Sequence, residues 1–266
     1  MLDTKFIREH ADEVKENIKN RHAKADVDQF IALDEKRREL LQRVEAMKNE
    51  RNTVTKEISQ LKRNKENADD KIAAMKKLGD DIDSLDKEVK EIEKDMLAIQ
   101  LMIPNMCHPS VPVGEDDSQN PEVRSWGERK SYDFQPLNHW EIGENLGILD
   151  SERAAKVTGA RFYYYIGAGA RLERAVYNFM LDRHTEHDGY TEVIPPYIVN
   201  RDSMTGTGQL PKFYEDMYRL NVEGEEMYMI PTAEVPLTNY YRGEIIDGSK
   251  LPVYFTALTP CFRAEA

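Results

Sequence analysis

Residues 28–103 contain no proline and a single glycine, Gly79. A stretch of that length without a backbone breaker is helical or unstructured, and its apolar spacing decides which. Stepping by alternating threes and fours from Phe30 gives Leu33, Arg37, Leu40, Val44, Met47, Arg51, Val54, Ile58 and Leu61, of which only the two arginines are polar. The same step from Met75 gives Leu78, Ile82, Leu85, Val89, Ile92, Met96, Ile99 and Ile103, all apolar. Between the two runs, KRNKENADDK (62–71) has no apolar residue except Ala68. Two heptad seams around a short polar break predict an antiparallel helical hairpin. Arms of roughly 33 residues would each reach about 50 Å.

Such a rod exposes most of its surface, which accounts for a charged fraction of 32% beside 40% apolar residues. The net charge of −12 argues against wholesale coating of nucleic acid or adsorption to a membrane. Yet between Asp34 and Lys65 there are ten Lys or Arg against six acids. A positive projecting arm on an acidic body can hold phosphates selectively. Mixed charge outside a coiled-coil seam is the simpler reading on spacing alone.

The first twenty residues are charged throughout, which excludes a secretory signal, and no run is long and apolar enough to span a bilayer. Cys107 and Cys261 alone permit no disulfide framework or thiolate cluster, so a reducing cytoplasm is the expected setting. His184 and His187 lie three apart on a predicted helix, but no third ligand accompanies them, so no metal site is assigned.

Before the rod, DTKFIREHADEVKENIKNR reads as a helix capped by Asp3 with Phe6, Ile7, Val14 and Ile18 inward. After it, residues 104–125 carry four prolines and an acidic patch and read as a linker. From Trp126, short strands and helices alternate, with a hairpin expected around EGEE and a long last strand, VYFTALTPCFRAE. The divisions are therefore 1–103 with its arm at about 28–103, a linker at 104–125, and a second domain at 126–266. The fold class is α+β.

In the last strand, alternation puts Arg263 and Glu265 on one face and Phe262 on the other. A guanidinium forks onto a phosphate or carboxylate, and a carboxylate two residues on can accept from an amino group. An edge-strand charge pair, contributing about 0–1 kcal/mol, is the simpler reading by spacing alone. PTAEVPL (231–237) poses the same choice. Thr232 is either an N-cap with Glu234 beside the helix dipole, or the two receive an ammonium group. GAGA (167–170) is neither a dinucleotide fingerprint nor a Walker loop, and TGTGQLPKF (205–213) is either a substrate-covering loop or a connection.

Taken in order, MLDTKFIREHADEVKENI, the hairpin, HWEIGENLGILD, KVTGARFYYYIGAGARLERA, GYTEVIPPYIVNRDSMTGTGQLPKF, PTAEVPLTNYY and LTPCFRAEA resemble the bacterial type of seryl-tRNA synthetase along essentially the whole chain. The resemblance implies a tRNA-binding coiled-coil arm followed by part of a class II synthetase domain built on an antiparallel sheet. It implies ATP-dependent activation of L-serine and transfer to tRNA(Ser), and to tRNA(Sec). Thr232, Ala233 and Glu234 would hold the serine ammonium. Arg263 would bridge the ATP α-phosphate and the serine carboxylate, which makes it the catalytic candidate. Ala264 and Glu265 would meet the nucleotide, Glu265 at the adenine amino group. Mg²⁺ would accompany the ATP, and Pro196 would lie at a homodimer interface. On this reading the arm binds the long variable arm of the tRNA, which reverses the simpler interpretation of its charge.

The same resemblance implies that the third motif, its arginine, the group that reads the serine hydroxyl and the metal ligands lie beyond Ala266. These 266 residues are then expected to be inactive in aminoacylation. The alternative is a noncatalytic tRNA-binding or coiled-coil interaction module. Thr232, Glu234, Arg263 and Glu265 favour the enzyme, since a binding module has no need of them.

Overall fold

The computed structural model describes residues 1–264, which divide into two compact units, Met1–Glu122 and a second from Val123 onward. The first unit opens with α1 (Thr4–Glu9) and α2 (Ala11–Asn20). The sequence predicts one helix here, but His10 leaves the helical region (φ −124°, ψ 37°) and breaks it in two. The Asp3 carboxylate caps α1, accepting from the Lys5 and Phe6 amides at 2.8 and 3.3 Å. Ile7, Val14 and Ile18 are buried as the periodicity predicts.

The hairpin is α3 (Val27–Arg63) and α4 (Asp69–Met102). At 37 and 34 residues the arms are about 56 and 51 Å long. Every predicted seam position is buried or half-buried, and Phe30, Leu40, Val89, Ile92 and Met96 join the core cluster at the base while Val44 and Ile82 stay buried further along the arm. Ion pairs cross between the helices at Arg37–Glu93 (2.9 Å), Lys48–Asp86 (3.0 Å) and Lys71–Glu57 (2.5 Å). The partner's number falls as the α3 number rises, which fixes the helices as antiparallel. The tip is turned by Lys65 at φ +61°. Arg43 near the middle of α3, and Lys56, Lys62, Arg63 and Lys65 toward and at the tip, are exposed.

At the base, Asp34 is 1% exposed and its carboxylate sits among arginines. Arg8 of α1 donates to it at 2.8 Å, Arg38 lies 3.3 Å away, and Arg37 stands at 3.9 Å. The start of the proline-bearing stretch is fastened to the same unit. The Asn105 carbonyl accepts from Asn17 and Arg21, and the Asn17 side chain accepts from the Cys107 amide.

In the second unit, α5 spans His139–Asn145, α6 Ser151–Thr158 and α7 Ala168–Glu186. Strands β1 (Leu149–Asp150) and β2 (Tyr164–Tyr165) pair antiparallel. A three-stranded antiparallel sheet runs in the order β4 (Ile198–Asn200), β6 (Glu225–Met229), β5 (Arg219–Val222). The β5–β6 hairpin closes through Glu223 and Gly224, both at positive φ, as a two-residue loop requires. Helices α8 (Arg201–Gly206) and α9 (Glu234–Thr238) flank this sheet. Val199, Met204, Leu210, Met217, Tyr228, Ile230 and Val235 form its core.

The long final strand expected from the sequence is not formed. Among the described residues, regular pairing there is confined to β7 (Phe255–Thr256), which runs parallel to β3 (Thr191–Glu192). Pro260 lacks an amide hydrogen, and downstream the backbone bonds to two separate segments rather than to one strand. The Phe262 amide donates to Ile230 and the Ala264 amide to Asp216, both at 2.9 Å. Two donors two residues apart on one side keep this stretch extended without a ladder.

Candidate active site

Those two bonds deliver Arg263 to its surroundings. Its Nε donates to the Pro231 carbonyl at 3.3 Å. Beside it is a cavity of about 210 Å³ lined by Gln209, Phe213, Asp216, Met217, Pro231, Thr232 and Arg263. The structure thus brings Thr232 and Arg263 together although they stand 31 positions apart in sequence. Pro231 is buried and ends the β6 segment, which presents Thr232 at the head of α9.

The cap of α9 differs from the sequence expectation. Ala233, not Thr232, is the N-cap residue, and the Thr232 hydroxyl accepts from the Glu234 amide at 3.3 Å. Glu234 is exposed at the first position of α9 and is not among the residues lining the cavity. Ala264 is exposed and donates its amide to the Asp216 carbonyl. Glu265, assigned to the adenine amino group, lies outside the described residues.

TGTGQLPKF, which the sequence leaves open between a substrate-covering loop and a connection, is a packed piece. Leu210 is 2% exposed in the core, and Gln209 and Phe213 line the cavity. A polar cluster on the sheet was missed in the sequence. Glu226 accepts from the Tyr214 hydroxyl (2.8 Å), the Tyr228 hydroxyl (2.5 Å) and Arg201 Nη1 (2.7 Å), and Arg201 also donates to the Tyr228 oxygen at 3.0 Å. The Arg219 guanidinium lies 4.3 Å from the Tyr214 ring centre.

The bonds from Tyr228 and Tyr214 hold Glu226 below the usual carboxylate range. Burial, then the bond to Glu226, pushes the fully buried Tyr228 hydroxyl up to about 12. The linkage has a definite sign. Below pH 10 the phenol is neutral folded or unfolded. Between pH 10 and about 12 only the unfolded chain ionises it, so stability falls across that window. Urea midpoints should therefore drop more steeply from pH 10 to 12 in the wild type than in Tyr228→Phe. Parallel curves for the two proteins would contradict the assignment.

Among the described residues no three His, Cys, Asp or Glu side chains gather into a metal site, and His184 instead pairs with Asp188 at 3.0 Å. No helix in the described residues is long and apolar enough to cross a membrane.

A paired-helix unit preceding an α+β unit with this site has the architecture of a class II aminoacyl-tRNA synthetase, here seen in part. Residues 1–107 match the profile of the seryl-tRNA synthetase N-terminal domain. The whole chain is 58% identical to a serine–tRNA ligase of Carboxydothermus hydrogenoformans and 52% identical to one of Geobacter sulfurreducens. In each case it covers 100% of this chain and 62% of the relative. Among solved structures it is similar to seryl-tRNA synthetase from Pyrococcus horikoshii complexed with ATP. That match has a TM-score of 0.82 and 34% identity, and covers 99% of this chain and 63% of that one. It is also similar to the cytoplasmic serine–tRNA ligase of Naegleria fowleri in complex with AMP, with a TM-score of 0.75 and 26% identity over 99% and 65% of the two chains. The chain is thus similar to seryl-tRNA synthetases along its whole length, and it spans about 62% of the length of the curated relatives it matches.

Proposed function

We propose that this chain carries the tRNA-binding arm and part of the serine- and ATP-binding core of a serine–tRNA ligase. The convergence of Thr232 and Arg263 on one cavity is the observation that supports this most directly. Activation of serine requires its carboxylate to attack the α-phosphate of ATP, so two anions must meet. Arg263 sits between them and offsets their repulsion as charge moves toward pyrophosphate. Thr232, the Ala233 backbone and Glu234 receive the serine ammonium, and Ala264 and Glu265 meet the adenine. Orientation of the two substrates supplies much of the remaining acceleration. ATP would bring Mg²⁺, held mainly by its own phosphates, by water and by one or two carboxylates, to neutralise the β- and γ-phosphates.

The proposal extends to the arm, whose exposed Arg43, Lys56, Lys62, Arg63 and Lys65 suit the phosphates of tRNA(Ser) or tRNA(Sec). It also includes a homodimer formed around Pro196 and a place in the cytoplasm.

The test is a titration of the 266-residue chain with ATP and with a non-hydrolysable seryl-adenylate analogue, followed by calorimetry, alongside binding of tRNA(Ser). Arg263→Ala should weaken the analogue about 100-fold, the worth of a charge-assisted hydrogen-bonding group, and leave tRNA affinity within about twofold. Unchanged analogue affinity would remove Arg263 from its role. Binding of tRNA with no nucleotide binding in the wild type would select the noncatalytic module instead.

A further inference from the structure

We propose that Glu226, gripped by Tyr214, Tyr228 and Arg201, is the positioning residue that sets Arg263 in the site. This rests on the reading of Arg263 as the anion-holding group. The path is short and continuous. From Tyr214 the chain runs two residues to Asp216, whose carbonyl accepts from the Ala264 amide at 2.9 Å. From Tyr228 it runs two residues to Ile230, whose carbonyl accepts from the Phe262 amide at 2.9 Å. One residue further, the Pro231 carbonyl accepts from Arg263 Nε. Arg263 therefore hangs, through its own side chain and the amides on either side of it, from two backbone segments.

Glu226 ties those segments together. One carboxylate oxygen takes the Tyr214 hydroxyl from the 3₁₀ turn at Tyr214–Asp216, and the other takes Tyr228 on β6 and Arg201 at the start of α8. Both oxygens are engaged, so a carboxylate is required and an amide can satisfy only part of the set. Tyr228 is 0% exposed, which removes water as a substitute partner. With Glu226 held ionised and Tyr228 held neutral, the cluster keeps one charge state across the neutral range. None of its four members lines the cavity beside Arg263, so they act on it only through the backbone.

Amide hydrogen exchange of the 266-residue chain, resolved by NMR, tests this. In Glu226→Gln, exchange at Phe262 and Ala264 should accelerate at least tenfold. The Met229 amide, bonded to the Tyr218 carbonyl within the hairpin, should stay within about twofold. Affinity for the non-hydrolysable seryl-adenylate analogue should fall about tenfold in parallel. Tyr228→Phe, which keeps the ring in the core, should give the same pattern more weakly and guards against a folding failure of the first variant. Unchanged exchange at Phe262 and Ala264 in both variants would overturn the proposal. So would uniform acceleration across the second unit, the mark of a merely structural role. If the wild type binds no analogue, the reading of Arg263 falls, while the exchange pattern still decides whether Glu226 positions it.

Discussion

Replacing Asp34 with alanine is expected to lower the unfolding free energy of the first unit by about 3 kcal/mol, the lower part of the range for breaking a buried ion pair. The side chain is 2% exposed, but its arginine partners keep roughly a third to a half of their side chains in water and can be partly resolvated, which limits the loss. The cost arises from two sources. Arg8 loses the acceptor that fixes α1 to α3, and the space beside the fully buried Phe30 is left short of atoms. Asp34→Asn, which keeps the shape and surrenders the charge, should cost less than alanine. The double replacement Arg8→Leu with Asp34→Leu should recover most of the loss, because paired apolar groups substitute well for a buried ion pair. Urea unfolding followed by circular dichroism measures all three. An alanine variant within about 0.5 kcal/mol of the wild type would show that the arginines are held by packing alone.

Asp34 also marks where a seam pattern stops being informative. The three-and-four spacing locates both helices of the rod and its tip, because a two-helix contact repeats along its length and every repeat leaves an apolar residue. At the base a third element, α1, packs across the pair, and position 34 turns inward beside Phe30 and Arg37. Nothing in a heptad count separates an acid aimed at a partner from one aimed at solvent. The active-site half shows the same division. Thr232 and Arg263 are legible as residue types, but their meeting depends on the Phe262 and Ala264 amides reaching Ile230 and Asp216, contacts that no local pattern encodes. The last strand was overread for a related reason. Alternation of side chains needs only an extended chain, whereas a strand needs a partner ladder, and the sequence reports the first without the second. Glu226 was legible only as an acid in a hairpin loop, EGEE, where acids are ordinarily solvated.

The glycines of GAGA bear no phosphate fingerprint, and the structure gives them a packing role that yields a second large effect. Gly167 caps the start of α7 at φ +53°, and Gly169, the second residue of the helix, is buried. A Cβ at 169 would stand 2.6 Å from the Ile148 carbonyl oxygen and 3.0 Å from the Ile148 Cβ. That oxygen already accepts from the Ile166 amide at 2.9 Å, a bond that continues the β1–β2 pairing, so it cannot retreat without breaking the pair. Gly169→Val is therefore expected to destabilise the second unit by about 3 kcal/mol, overpacking outweighing the helix propensity it gains. Gly79 supplies the control. It lies in α4 with nothing within 4 Å of its would-be Cβ, so Gly79→Ala should stabilise the first unit by up to about 1 kcal/mol. The two substitutions thus carry opposite signs for one reason, the presence or absence of a backbone atom in the path of a methyl group. Urea unfolding of both variants followed by circular dichroism, with the fluorescence of the half-exposed Trp140 reporting the second unit, reads the contrast. A valine at 169 that leaves that transition unmoved would mean that α7 can slide along the Ile148 segment, and the close approach would then carry no energetic weight.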